Sequence, residues 1–184
     1  MRLVIIRHGQ SIWNEMNIFT GWRDVDLSEL GITEAKNAGT ILLEHNLHFD
    51  KIYTSYLKRA IHTADIVLDQ MDAVYLPVVK AWQLNERHYG ALQGLNKKDV
   101  AEQYGDEQVR LWRRSYDLIP PLLEEGSTHD PHFLPMYRNV DPNLLPLGES
   151  LELTVHRVIP YFNEVIKKDM KNGAITKEFA QELL

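Results

Sequence analysis

The chain has 184 residues, with 20 Lys and Arg against 26 Asp and Glu, a formal charge of −6 at pH 7, and no cysteine. That length suits one domain, spanning 1–184, with a substantial core, and the lack of cysteine excludes a disulfide framework or a thiolate metal site. The acidic balance argues against nucleic acid or an anionic membrane as partner, since both attract an excess of Lys and Arg.

The predicted elements begin with an apolar strand, Leu3 to Ile6, that runs into Arg7, His8, Gly9, Gln10 and Ser11. This start is too short and too soon charged for a signal peptide, and no apolar run reaches the length of a membrane span, so a cytoplasmic protein is expected. Open α/β sheets place their ligands at the carboxyl ends of strands. An imidazole and a guanidinium delivered there, with Gly9 permitting a sharp turn, suit phosphate held on a histidine. A neutral imidazole nitrogen attacks phosphorus and leaves again readily, which makes His8 the candidate nucleophile.

A polar, irregular stretch from Ser11 to Gly31 follows, then an amphipathic helix from about Thr33 to Glu44 with Ala35, Ala38, Ile41 and Leu42 at helical spacing. Asp50 to Thr54 reads as a second strand. Ser55 suits the cap of a helix in which Leu57, Ala60, Ile61, Ala64, Val67 and Leu68 share one face, and a third strand is expected near Pro77 to Val79. Strand, helix and strand in this order indicate parallel pairing. Between about 94 and 146 the pattern changes to short helices, Lys97 to Tyr104 and Glu107 to Ser115, and then to a proline-rich run, expected to form an irregular lid insertion. Ser150 caps a last amphipathic helix, kinked by Pro160 and stopped near Gly173, before an atypical tail at 174–184.

Several polar strings align with one known pattern. Arg7 to Asn14, Thr20 with Gly21, Leu57 to Thr63, the run E-R-H-Y-G-A-L-Q-G-L-N-K from Glu86 to Lys97, and the pair Arg113 and Arg114 together resemble the cofactor-dependent phosphoglycerate mutases of the histidine phosphatase superfamily. The resemblance runs from residue 1 to about 173, and the Glu86 to Lys97 string is the part specific to the mutase branch. It implies an α/β fold, a three-layer domain with a mostly parallel sheet flanked by helices, and interconversion of 3- and 2-phosphoglycerate. The implied path is a phosphohistidine primed by 2,3-bisphosphoglycerate, with no metal. Rival readings are a broad histidine phosphatase and a weakly active or inactive phospholigand-binding homologue.

By the same resemblance His8 carries the phosphoryl group, Arg7 and Arg59 grip it, and Glu86 moves a proton to and from a substrate hydroxyl. Gly9, Gln10, Ser11, Asn14, Thr20 and Gly21 belong to its binding loop. Arg87, His88, Tyr89 and Lys97 match substrate-binding positions, as do Arg113 and Arg114. Read without the resemblance, Glu86 beside Arg87 is a surface ion pair, and an arginine pair on a helix commonly faces solvent. The expected partner is a small phosphorylated substrate, with a homo-oligomer as the family's common state. The family's second histidine, in an H-G-N-S-L-R string on a further strand, has no counterpart in this sequence. That departure predicts a domain lacking a C-terminal strand and helix, and an incomplete sheet.

His45 with His48, and His129 with His132, have spacings a metal can use, but neither pair has an ordered carboxylate beside it, so no metal site is expected. No glycine-rich nucleotide loop is present.

Overall fold

Two helices and a short parallel sheet frame the amino-terminal part of the computed structural model, which describes residues 2–171. Helix α1 spans Ile12–Glu15 and α2 spans Glu29–Glu44. Strand β1 (Ile52–Thr54) leads into α3 (Lys58–Gln70), which returns to β2 (Val78–Lys80). The strands pair in parallel with Ile52 opposite Val78 and Thr54 opposite Lys80. This is an α/β fold whose sheet, among the described residues, has two strands.

The expected first strand does not form. Leu3 to Ile6 lack regular structure, and no ladder joins them to β1 or β2. Their side chains still alternate as a buried strand's would. Val4 and Ile6 pack against Leu42, Leu47 and Val67, while Leu3 packs on the opposite side against Ile166 and Met170. Alternation places side chains on two faces, but a strand also needs a neighbour to accept and donate its backbone bonds, and none lies alongside among the described residues.

Helix α2 begins four residues before Thr33 because the Ser28 hydroxyl accepts from the Gly31 amide and caps it. Gly31 stands inside that first turn for a steric reason. A Cβ there would lie 2.0 Å from Gln10 O, and one on Gly9 would lie 2.2 Å from Gly31 O, so two glycines let α2 press directly on the backbone that carries His8. The stretch from Ser11 to Gly31 is also less irregular than its composition suggests: Ser11 and Asn14 cap α1 reciprocally, each side chain accepting the other's amide. Ser55 is not the cap of α3. Its hydroxyl accepts from Leu57 N, and the helix starts beyond it with no side-chain cap.

Helices α4 (Lys97–Tyr104) and α5 (Asp106–Arg114) match the expected short helices closely. They close over Phe19 and Leu92 with Val100, Val109 and Trp112. The following run to Pro146 contains three single turns of tight helix, each opened by a proline: Pro131, Pro135 and Pro142. It is docked on the body of the protein, with Tyr137 stacked on Trp22 at 5.0 Å and its hydroxyl accepting from Asn85 Nδ2 at 2.9 Å. Helix α6 (Leu151–Tyr161) is capped by Ser150 and passes, just after Pro160, into a wider π turn at Phe162–Ile166. The expected stop near Gly173 and the tail at 174–184 lie outside the described residues.

Candidate active site

His8 leaves the amino-terminal segment beside Gly9, whose amide donates to Thr63 Oγ1 on α3. Its ring is oriented by its own neighbour: Nδ1 donates to Gly9 O at 2.6 Å, which leaves Nε2 without a proton. Arg59 Nε donates to that Nε2 at 3.3 Å, a long bond that a phosphoryl oxygen can replace. Burial holds the imidazole's pKa below its ordinary value, and the Arg59 and Arg7 charges push the same way against the Gly9 carbonyl and Glu86. The ring is thus neutral, with its proton-free nitrogen facing a guanidinium.

Arg59 is almost completely buried and divides its donors between structure and chemistry. It donates to Gly21 O at 2.7 Å and to Arg23 O at 3.0 Å, which fixes the Thr20–Gly21 turn around it. It also donates to Glu86 Oε2 at 2.8 Å. Glu86 keeps 38% of its side-chain surface open. One guanidinium therefore ties the candidate nucleophile to the candidate proton carrier.

Gly21 sits at φ +55, and a Cβ there would meet Gln93 Oε1 at 2.2 Å, so the turn requires glycine. Beside it the Thr20 hydroxyl is buried without a hydrogen-bond partner among the described residues. Arg7, Gln10 and Asn14 line a recess of about 420 Å³ together with His8, Gly9 and Thr63. Ser11 is fully buried as the cap of α1, and the Gln10 amide group accepts from Ser28, so both also hold the loop together.

A second recess, of about 360 Å³, lies between α4 and α5 and is lined by Lys97, Arg113 and Arg114, with Lys98 and Arg110 beside them and Asp106 opposing. Burial lowers the Lys97 pKa, and the charges of Arg113 and Arg7 act in the same direction while Glu86 opposes them. Cations from three separate stretches of the chain, and the Glu86 carboxylate from a fourth, therefore act on one another.

Two positions differ from the resemblance. The Arg87 guanidinium is buried and donates to Trp112 O and Arg113 O at 2.8 and 2.9 Å, stacked over Tyr89. His88 has no exposed surface: it accepts from Gly90 N, faces Gln93 and packs on Trp22, so it supports the site from beneath and presents nothing to a substrate. Three neighbours were not singled out by sequence. Trp22 Nε1 and Arg157 both donate to Glu86 O, and Glu149 pairs with Arg157. His132, unlike the sequence expectation, does have an ordered carboxylate beside it: buried Asp130 pairs with its Nδ1, and its Nε2 faces Pro142 O.

A neutral histidine at the end of an amino-terminal segment, in contact with one arginine and sharing a recess with a second on an α/β scaffold, is an arrangement suited to holding phosphoryl groups. The sequence profile of the histidine phosphatase superfamily (branch 1) matches residues 3–130, and the chain belongs to that family. Within it, the chain is 61% identical over 173 residues to a 2,3-bisphosphoglycerate-dependent phosphoglycerate mutase of Lachnoclostridium phytofermentans, covering 94% of this chain and 70% of that one. The corresponding figures for the Treponema denticola protein of the same name are 56%, 94% and 70%. Among solved structures, phosphoglycerate mutase from Bacillus anthracis superposes with a TM-score of 0.64 at 26% identity, over 91% of this chain and 68% of that one.

Proposed function

We propose that this chain interconverts 3- and 2-phosphoglycerate in glycolysis and gluconeogenesis, working in the cytoplasm, with arginines rather than a metal ion countering the phosphoryl charge. The observation that carries this reading is the chain of contacts from His8 Nε2 through Arg59 to Glu86. A phosphatase uses all three too, its carboxylate protonating the departing alcohol, so the 61% identity to a phosphoglycerate mutase is what favours isomerisation over hydrolysis. A carboxylate held on the same guanidinium suits a reaction that must also move a proton between two substrate hydroxyls.

The donor set fits 2,3-bisphosphoglycerate. His8, Arg7 and Arg59 suit one phosphoryl group, Lys97 with Arg113 and Arg114 the far anionic end, and the unpartnered Thr20 hydroxyl offers a neutral donor. When bound, this cofactor supplies the phosphoryl group that primes His8. With His8 phosphorylated, the N–P bond breaks as the free hydroxyl oxygen of a monophosphoglycerate bonds to phosphorus, and Glu86 takes that hydroxyl's proton. In the return step the other ester P–O bond breaks, His8 Nε2 bonds to phosphorus again, and Glu86 gives the proton to the departing oxygen. Arg7 and Arg59 stabilise charge on the transferring oxygens throughout.

The test is an enolase-coupled assay with phosphate release followed in parallel and labelled 2,3-bisphosphoglycerate as donor. Isomerisation should exceed phosphate release, and an acid-labile, base-stable label should appear on His8 and vanish in His8→Ala. Phosphate release as the main reaction would make the chain a phosphatase; label persisting in the variant would remove His8 as nucleophile.

A further inference from the structure

Glu86 lies in a stretch with no regular structure of its own. A tight turn ends at Leu84, the next begins at Gly90, and neither helix nor ladder bonds fix the residues between. The side chain that makes the most bonds to them comes from α6. Arg157 donates through Nε to Glu149 Oε1 at 2.6 Å, through Nη1 to Gln83 O and Asn85 O at 2.7 and 2.9 Å, and through Nη2 to Glu86 O and Glu149 Oε2 at 3.0 and 2.8 Å. All five N–H groups of the guanidinium are used, and three of them end on backbone carbonyls at or just before Glu86.

The opposite side of the stretch is held by the same ion pair. Glu149 Oε2 accepts from His88 N at 2.8 Å, and Glu149 N donates to His88 O at 2.8 Å. Trp22, over whose ring the Arg157 guanidinium lies at 5.5 Å, adds a second donor to Glu86 O at 2.6 Å. Among the described residues the Glu86 carboxylate itself has a single hydrogen-bond partner, Arg59, and it is partly open. Its aim is therefore set largely by its backbone.

We infer that Arg157 and Glu149 are positioning residues for the proton carrier: a saturated guanidinium clamp that sets where the Glu86 carboxylate stands relative to His8 and Arg59. The inference rests on Glu86 having the role given above. It assigns no contact with substrate to either residue. A purely structural ion pair would stabilise the protein alike with or without the Glu86 carboxylate, whereas a positioning pair matters to the chemistry only while that carboxylate is present.

The experiment is a double-mutant cycle on the single-turnover rate of His8 labelling by 2,3-bisphosphoglycerate, using Arg157→Lys and Glu86→Gln. Lysine keeps the charge but cannot reach five acceptors in a fork. Arg157→Lys should slow labelling on the order of 10²-fold, because small displacements of a catalytic group cost that much. The donor's half-saturation should move less than about threefold, since binding is made elsewhere. In the Glu86→Gln background the same change should cost less than about twofold. Amide exchange gives a readout independent of activity: the His88 amide should exchange at least about tenfold faster in Arg157→Lys, while amides of α2 stay unchanged. If Arg157→Lys does not fold, Glu149→Gln, which keeps the shape of the pair and removes its charge, carries the same cycle. Equal losses in both backgrounds, or an unchanged labelling rate, would overturn the inference. Labelling without isomerisation would overturn the mutase reading and leave the cycle to decide the clamp.

Discussion

The segment that carries His8 and the segment that carries Glu86 are both irregular backbone, yet one rests on side-chain packing and a glycine contact while the other hangs on a filled guanidinium. Around His8 the backbone bonds fall at the far end, where Gly9 N meets Thr63 and Gln10 O accepts from Ser28 N at 2.9 Å. Before that point Val4 and Ile6 supply apolar contacts on one side, and Ile5 remains 66% exposed. Around Glu86 the carbonyls of Gln83, Asn85 and Glu86 and both main-chain groups of His88 have named partners. A nucleophile that must accept and release a phosphoryl group tolerates a segment fixed by packing, whereas a proton carrier has to meet two different hydroxyl oxygens at hydrogen-bond range and gains more from rigid support.

Arg59 touches both halves, so its loss should be the largest single effect after His8 itself. Arg59→Ala should weaken ligand binding and phosphoryl transfer together, by on the order of 2 to 4 kcal/mol. Single-turnover labelling measures this, and a rate within a few-fold of the parent would show that the contacts to His8 and Glu86 are incidental.

The Glu86 side also contains a titration that the His8 side shares only in direction. Burial, with Arg157 adding, pushes the His88 pKa down to about 3 from 6.5. Between those values the unfolded chain binds a proton that the folded chain refuses, so the stability difference between folded and unfolded states grows with pH and is lost as pH falls below 6.5. By pH 5 the cost from His88 is about 2 kcal/mol. His88→Asn keeps an acceptor for Gly90 N and should flatten the dependence of urea midpoints on pH across this window, leaving the weaker slope from His8. A slope unchanged by the substitution would place the titration elsewhere.

The smallest expected effect sharpens the contrast from the other direction. Ile5→Thr, at an exposed position, should change stability by no more than about 0.5 kcal/mol in urea unfolding. A loss of about 2 kcal/mol or more would mean that this face of the His8 segment is covered in solution and that the two segments are held more alike than their hydrogen bonds show.

Much of the scaffold was legible because it depends on local pattern. Strand β1, helix α3, strand β2 and the helices α4 and α5 all fall within a few residues of where periodicity and turn residues put them. Leu3 to Ile6 failed as a strand because apolar alternation reports burial and says nothing about whether a partner lies alongside. The early start of α2 was hidden by Gly31, which looks like a helix breaker but is there to let the Gln10 backbone approach. At the site, the strings of the resemblance supplied His8, Arg59 and Glu86, and Arg59 contacts the other two. Arg157 left no trace, since a lone arginine on an amphipathic helix has the same local signature whether it meets water or three carbonyls from a distant stretch of chain.

Arg87 gives the molecule a mechanical link between α5 and the stretch that carries Glu86. Its guanidinium fastens to the last carbonyls of α5, one of them belonging to Arg113, and its backbone adjoins Glu86 by a single peptide bond. Only one side chain separates the cationic wall that would meet the distant end of a substrate from the carboxylate that would meet its hydroxyl. A shift of α5 that displaces Arg113 is therefore passed to Glu86 through two hydrogen bonds and one peptide bond, and the two ends of the tie move together.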